Sequence, residues 1–152
     1  MGEEGDDEAL GAKITQIFEE TRVVIPGTEV FLAFQLGAVF TEVFQRLPPA
    51  YRATHIASFV LVTVSVVLLV SPAPYHRIRE RGRNTARTLR YAHRALLASM
   101  FVTATGISVD VWLVCAIAVS PAAGWWIAPG VWALAMALWF VLPHSGKRSD
   151  GD

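Results

Sequence analysis

Cysteine is almost absent. Cys115 is the single one in 152 residues, so neither an intrachain disulfide nor a cysteine-based zinc site can form. It falls inside an apolar run, where a thiol behaves as a small apolar side chain. Charged residues make up only 17% of the chain and are missing from long stretches. His55, His93 and His144 have no metal-ligand spacing among them, and no nucleophile-elbow, phosphate-loop or dinucleotide-binding glycine pattern occurs. These absences argue against an enzyme, a resident metal and a cofactor. A basic leader is missing as well. About 22 residues, acidic rather than basic, precede the first apolar run, and no small-x-small site closes it, so that run is read as retained. No internal repeat is visible.

Apolar sequence is what the chain has, at 53% of residues. Four runs divide it, near Val23–Phe44, His55–Val70, Ala95–Val119 and Trp125–Leu142. Each is close to the roughly 20 residues that a helix needs to cross hydrocarbon. The second is rich in valine (Val60, Val62, Val64, Val66, Val67, Val70), a strand signal in a soluble protein. An open strand in lipid would leave backbone groups unpaired at several kcal/mol each, so the helical reading wins. The expected fold is all-α, an integral membrane bundle of four transmembrane helices over residues 23–142.

The flanking segments complete that expectation. Residues 1–8 are acidic and glycine-rich and read as disordered. Residues 9–22 place Leu10, Ile14, Ile17 and Phe18 at helical spacing, the pattern of a short amphipathic helix lying on the membrane or on the end of the bundle. Pro26-Gly27 marks the start of the first span, Leu47-Pro48-Pro49 the first turn, Ser71-Pro72-Ala73-Pro74 the end of the second span and Pro121-Ala122-Ala123-Gly124 the last turn. Asn84 to Ser120 holds no proline and reads as one helix. Trp125 and Trp126 fit an interfacial belt. Residues 143–152 form a polar tail.

Basic residues are distributed unevenly. With four spans, one side collects Lys13, Arg22, Arg77, Arg79, Arg81, Arg83, Arg87, Arg90, Arg94, Lys147 and Arg148, and the other only Arg46 and Arg52. The positive-inside rule then places both termini and the basic connector in the cytoplasm. Acidic residues hardly enter that rule, so the acidic N-terminus is no objection.

Ionisable groups within the spans are the candidates for chemistry. An insertion cost of about 2.5–3.5 kcal/mol for a central carboxylate means that it should face protein or water. Glu29 and Asp110 lie within two turns of the midplane, and Glu42 lies near the outer end of the first span. Glu29 shares a helix face with Pro26, Ala33, Leu36, Gly37 and Phe40, whereas Thr28, Gln35 and Glu42 form a neighbouring polar line. Ser99, Thr103, Gly106 and Asp110 recur at steps of four, three and four, the stripe of an interhelical seam or a hydrated path. Counting inward from the ends puts Gln35 and Asp110 at similar depth. Proton and cation handling and plain interhelical hydrogen bonding are both open readings of these groups.

Arg83, Arg87, Arg90 and Arg94 repeat with helical spacing and make one basic face. It suits topology determination or anionic lipid headgroups, not nucleic acid, because it lies against a membrane. Glu20 and Arg22 on one segment and His76 and Arg77 on another meet at the same boundary, where Glu19 or Glu20 could pair with Arg77 and clamp two helices. Gly130, Ala133 and Ala137 give the last span a small-residue face suited to close packing, a homodimer interface included.

The run Glu20-Thr21-Arg22-Val23-Val24-Ile25-Pro26-Gly27, the following Ala33-Phe34 and the segment Pro74-Tyr75-His76-Arg77 resemble a bacterial family of small uncharacterised four-helix membrane proteins, some of them labelled sodium/proton antiporters. The resemblance implies a bacterial inner-membrane location and carries no established functional residues. An amide is associated with the Glu29 position in that family, which implies that ionisation there is not required. Two functions follow as expectations. One is a proton-coupled cation or small-molecule transporter using intramembrane carboxylates. The other is a non-transporting scaffold or modulator that meets anionic lipid or a partner through the basic connector.

Overall fold

The computed structural model describes residues 2–80 and 85–142, with side chains from Leu10 onward. Among these residues the secondary structure is entirely helical. Helix α1 spans Gly2–Val39, α2 Glu42–Arg46, α3 Pro49–Val70, α4 Pro72–Arg79, α5 Ala86–Ala118 and α6 Pro121–Met136, and a π-helical turn over Ala137–Val141 closes the described chain. Four of the helical stretches are long and apolar enough to cross a membrane: Leu10–Val39, Pro49–Arg79, Ala86–Ala118 and Pro121–Val141. The direction of the termini is not encoded in this geometry, so the two ends of the bundle are called the connector side, after residues 71–94, and the far side.

Helix α1 is longer than expected. The segments expected as a disordered residues 1–8 and a separate helix over 9–22 instead continue into the span, with helix from Gly2 and no break at Pro26. Pro26 removes one backbone hydrogen bond but fits helical φ, and the packing of its neighbours holds the helix through it. At about 1.5 Å per residue the helix is roughly 57 Å long, far more than a roughly 30 Å hydrocarbon core. Its first half therefore projects on the connector side, and Ile14, Ile17 and Thr21 are buried there. Ile17 joins Leu69 of α3 and Ala92 and Leu96 of α5 in a small apolar core, flanked by Val24, Ile25, Leu89 and Met100.

Local capping chemistry sets the other boundaries. Thr41 is extended and its hydroxyl accepts from the Phe44 amide at 3.2 Å, which starts α2 and removes Glu42 from the first span. Pro49 opens α3 at its first turn, six residues before the expected His55. Thr85 caps α5 by accepting from the Thr88 amide at 3.1 Å, and the helix then runs unbroken to Ala118, close to the proline-free interval of the sequence. The expected turn at Pro121–Gly124 is instead the first turn of α6. Ser120 caps it, accepting from the Ala123 amide at 3.2 Å, and Pro121 occupies the first helical position, where its missing N–H costs nothing.

Helices α1, α3 and α5 pack against one another, whereas α6 packs chiefly on the outer side of α5. The α3–α5 seam is the tightest. His55, Ser58, Val62, Ser65 and Leu69 make the buried stripe of α3, at steps of three and four residues. Small residues let the backbones approach: a Cβ on Gly106 would meet Val62 Cγ2 at 2.8 Å. Gly124 has the same role between α5 and α6, where a Cβ would lie 2.8 Å from the Trp112 carbonyl oxygen. Trp112 also meets Tyr51 and Trp125 edge-on, at ring separations of 5.8 and 5.6 Å, so an aromatic cluster ties α3, α5 and α6 at the far side.

Candidate functional site

Side chains from α1, α3 and α5 converge between the midplane and the far side. Gln35 is 4% exposed, His55 7% and Asp110 9%. The Gln35 amide nitrogen donates to Asp110 Oδ2 and, at 3.0 Å, to Ser58 Oγ. Ser58 in turn donates to the Gly106 carbonyl at 2.8 Å. The chain of bonds thus runs from α1 through α3 to α5, and the close approach at Gly106 is what brings Ser58 within reach. One tightly packed crossing positions the whole group.

The protonation of His55 follows from its partners. Its Nε2 lies 2.9 Å from the backbone oxygen of Gln35, which can only accept, so Nε2 carries a hydrogen. In the neutral ring Nδ1 then presents a lone pair, and it faces Asp110 Oδ1 at 3.7 Å. Phe44 of α2 packs edge-on over the imidazole at 5.2 Å and holds its plane. Two facing lone pairs repel, and two hydrogens between these atoms would collide. At 3.7 Å the two atoms face each other without a hydrogen bond between them. An ionised Asp110 here is a buried charge, which is costly unless a donor or a cation meets it. Asp110 Oδ1 and Gln35 Oε1 have no hydrogen-bond partner although both are buried. The arrangement is a buried carboxyl group beside an imidazole, with two spare acceptors.

A cavity of about 300 Å³ adjoins this group, with Gln35, His55 and Asp110 in its wall. Apart from Thr41, the rest of its lining is apolar, chiefly Phe31, Phe34, Phe44, Leu113 and Ile117. Phe34, Val43 and Val114, which also line it, are largely exposed, so the cavity is open to the surface where α1, α2 and α5 meet.

The remaining candidates fall in different places. Ser99, Thr103 and Gly106 are buried in the α3–α5 seam, where Ser65 Oγ donates to the Ser99 carbonyl at 3.0 Å and also bonds the Thr103 hydroxyl. Glu29 is on the exposed face of α1, together with Pro26, Ala33, Leu36 and Gly37, with exposed Phe40 just past the helix end, and does not join Asp110. The seven-residue line splits: Thr28 and Gln35 are buried, whereas Glu42 is exposed on α2 and paired with Arg46 at 3.0 Å. Arg87, Arg90 and Arg94 share an exposed face of α5, and Arg83 lies outside the described residues. No ion pair joins Glu19 or Glu20 to Arg77. Glu20 instead accepts from Gln16 one turn back, at 3.1 Å, because both lie on the exposed side of α1. The two segments do meet, through an edge-on contact of Phe18 with His76 at 6.3 Å. Gly130 and Ala133 are exposed on α6, and Ala137 is exposed at the start of the π-helical turn that follows it.

Sequence reasoning missed His55 and Ser58. Both stand on the three-and-four stripe that α3 shares with Val62, Ser65 and Leu69, and that pattern could have found them. Testing His55 solely for metal-ligand spacing concealed it.

Four apolar helices, three of them around a buried polar group, are compatible with a multi-pass membrane protein. The chain belongs to DUF6328, a family of unknown function, which matches residues 3–143. No curated protein and no solved structure matches it.

Proposed function

We propose that the protein is a small bacterial inner-membrane transporter that couples proton movement to that of a cation or small molecule, with both termini and the basic connector cytoplasmic. The observation that carries this reading is the buried His55–Asp110 pair, 3.7 Å apart, beside a cavity that both residues line; in this reading the pair holds one proton at a time. Coupling follows from charge. A cation that approaches the spare acceptors Asp110 Oδ1 and Gln35 Oε1 is held best by an ionised Asp110, and a neutral site results only if the shared proton leaves. Proton and cation then compete for one place, which is the requirement of exchange. The apolar wall favours a cation with apolar substituents over a small hydrated ion. Gln35 orients the carboxylate, His55 holds the proton and Ser58 fixes Gln35 to the α3–α5 crossing.

The test is proton flux in reconstituted liposomes, with gradients of sodium, potassium or a cationic dye, comparing wild type with Asp110→Asn. Coupled flux by wild type that the amide abolishes, with expression and elution volume unchanged, is the expected result. A wild type that moves no protons with any of these would refute it. The scaffold reading would then take its place, supported by the exposed Arg87, Arg90 and Arg94.

A further inference from the structure

A second cavity, of about 320 Å³, lies on the connector side, well away from the proton site, where α1 meets the end of α3 and α4. Its two parts differ in chemistry. Ile25, Leu69 and Val70 line an apolar portion at the level of the span, and Arg22 and His76 lie at the polar end. His76 is half-buried, and the ring of Phe18 meets it edge-on at 6.3 Å. Its Nε2 is buried and has no hydrogen-bond partner. A buried ring nitrogen without a partner is a cost that a bound group would relieve. Arg22 is unpaired too: among the described residues no carboxylate lies within ion-pair distance of it. Exposed Arg77, Arg79, Arg87, Arg90 and Arg94 lie on this side of the molecule, with Glu19, Glu20 and Glu80 the carboxylates among its described side chains.

We propose that this cavity binds the phosphate of an anionic lipid. The guanidinium of Arg22 presents a planar fork of donors that matches two phosphate oxygens, and His76 Nε2–H supplies a further donor. One acyl chain lies along Ile25, Leu69 and Val70, which would otherwise face an unfilled apolar hollow. A free phosphate shares the headgroup chemistry but has nothing to place on that surface, so the lipid is the better match. The site is independent of the transport proposal. It ties α1 to α3 and α4, the role that an ion pair between Glu20 and Arg77 does not fill.

Delipidated protein in zwitterionic detergent provides the test, with bound lipid counted by native mass spectrometry during titration. The probes are phosphatidylglycerol, phosphatidylcholine and inorganic phosphate. Phosphatidylglycerol should fill one site more tightly than phosphatidylcholine, and inorganic phosphate should not displace it at millimolar concentration. Arg22→Gln should weaken that site about tenfold or more, the loss of a charge-assisted contact, and His76→Phe should weaken it by a smaller factor. A combined Arg87→Gln, Arg90→Gln and Arg94→Gln variant, which keeps the cavity, should leave the site within a few-fold of wild type. Thermal melting of each variant in detergent separates lost binding from lost folding, and Arg22→Lys, which keeps the charge without the fork, should bind between Arg22→Gln and wild type. Equal binding by wild type and Arg22→Gln overturns the proposal. So does loss confined to the triple variant, or displacement of the lipid by inorganic phosphate.

Discussion

Replacing Gly106 with alanine adds one methyl group at the closest point of α3 and α5. The new Cβ would sit 2.8 Å from Val62 Cγ2, with Leu61 Cβ at 3.5 Å and the Ser58 carbonyl at 3.6 Å. Val62 cannot swing aside, because it is fully buried and a β-branched residue in a helix has one strongly preferred rotamer. The helices must separate by several tenths of an ångström, which also stretches the Ser58 bond to the Gly106 carbonyl. Overpacking of this kind costs about 1–3 kcal/mol. Against that stands the helix preference of alanine over glycine, about 0.8–1 kcal/mol in its favour. Gly37 provides the control, since a Cβ there meets nothing within 4 Å. Gly37→Ala keeps the propensity gain without the collision, so the difference between the two variants isolates the steric part, about 1–3 kcal/mol. Equilibrium unfolding in mixed micelles, followed by tryptophan fluorescence, measures it. Adding Val62→Ala to Gly106→Ala should recover part of the loss. Equal stability of Gly106→Ala and Gly37→Ala would refute the close crossing on which the polar site is built.

Two further outcomes concern the chain in its membrane. In a Cys115→Ser background, a cysteine at Pro48 should be labelled by an impermeant maleimide from the periplasm and one at Arg79 only after the cells are opened; the reverse pattern would invert the proposed orientation. Ala133→Leu with Ala137→Leu should weaken self-association, measured by crosslinking in native lipid, since Ala133 on α6 and Ala137 in the π-helical turn after it are both exposed, as Gly130 is; an unchanged oligomer distribution, or a monomeric wild type, would remove the homodimer.

Much of the architecture was legible because hydrocarbon imposes a length and an apolar composition that sequence displays directly. The α5 boundaries followed from an interval without proline, and the depth match of Gln35 with Asp110 followed from counting along two helices. Three features escaped for physical reasons. The continuity of α1 through Pro26 depends on tertiary packing of Ile17 against Leu69 and Leu96, which overrides a local breaker. The separation of Glu42 from the first span depends on the Thr41 cap, a choice of one hydroxyl between helix and turn. The outward turn of Glu29 depends on which face of α1 meets α3, and two adjacent polar lines on one helix left that undecided. His55 showed the opposite failure, a residue on the buried stripe of α3 whose role depends on a backbone oxygen 20 residues away.

The central claim is that the proton-handling group is the His55–Asp110 pair and not the exposed acid of α1. It is tested most directly by measuring coupled proton flux of His55→Gln, Asp110→Asn and Glu29→Gln in the same liposome preparation. His55→Gln and Asp110→Asn should each abolish coupled flux, since either removes one holder of the shared proton, while Glu29→Gln should retain it. Flux lost in Glu29→Gln and kept in the other two would contradict the account.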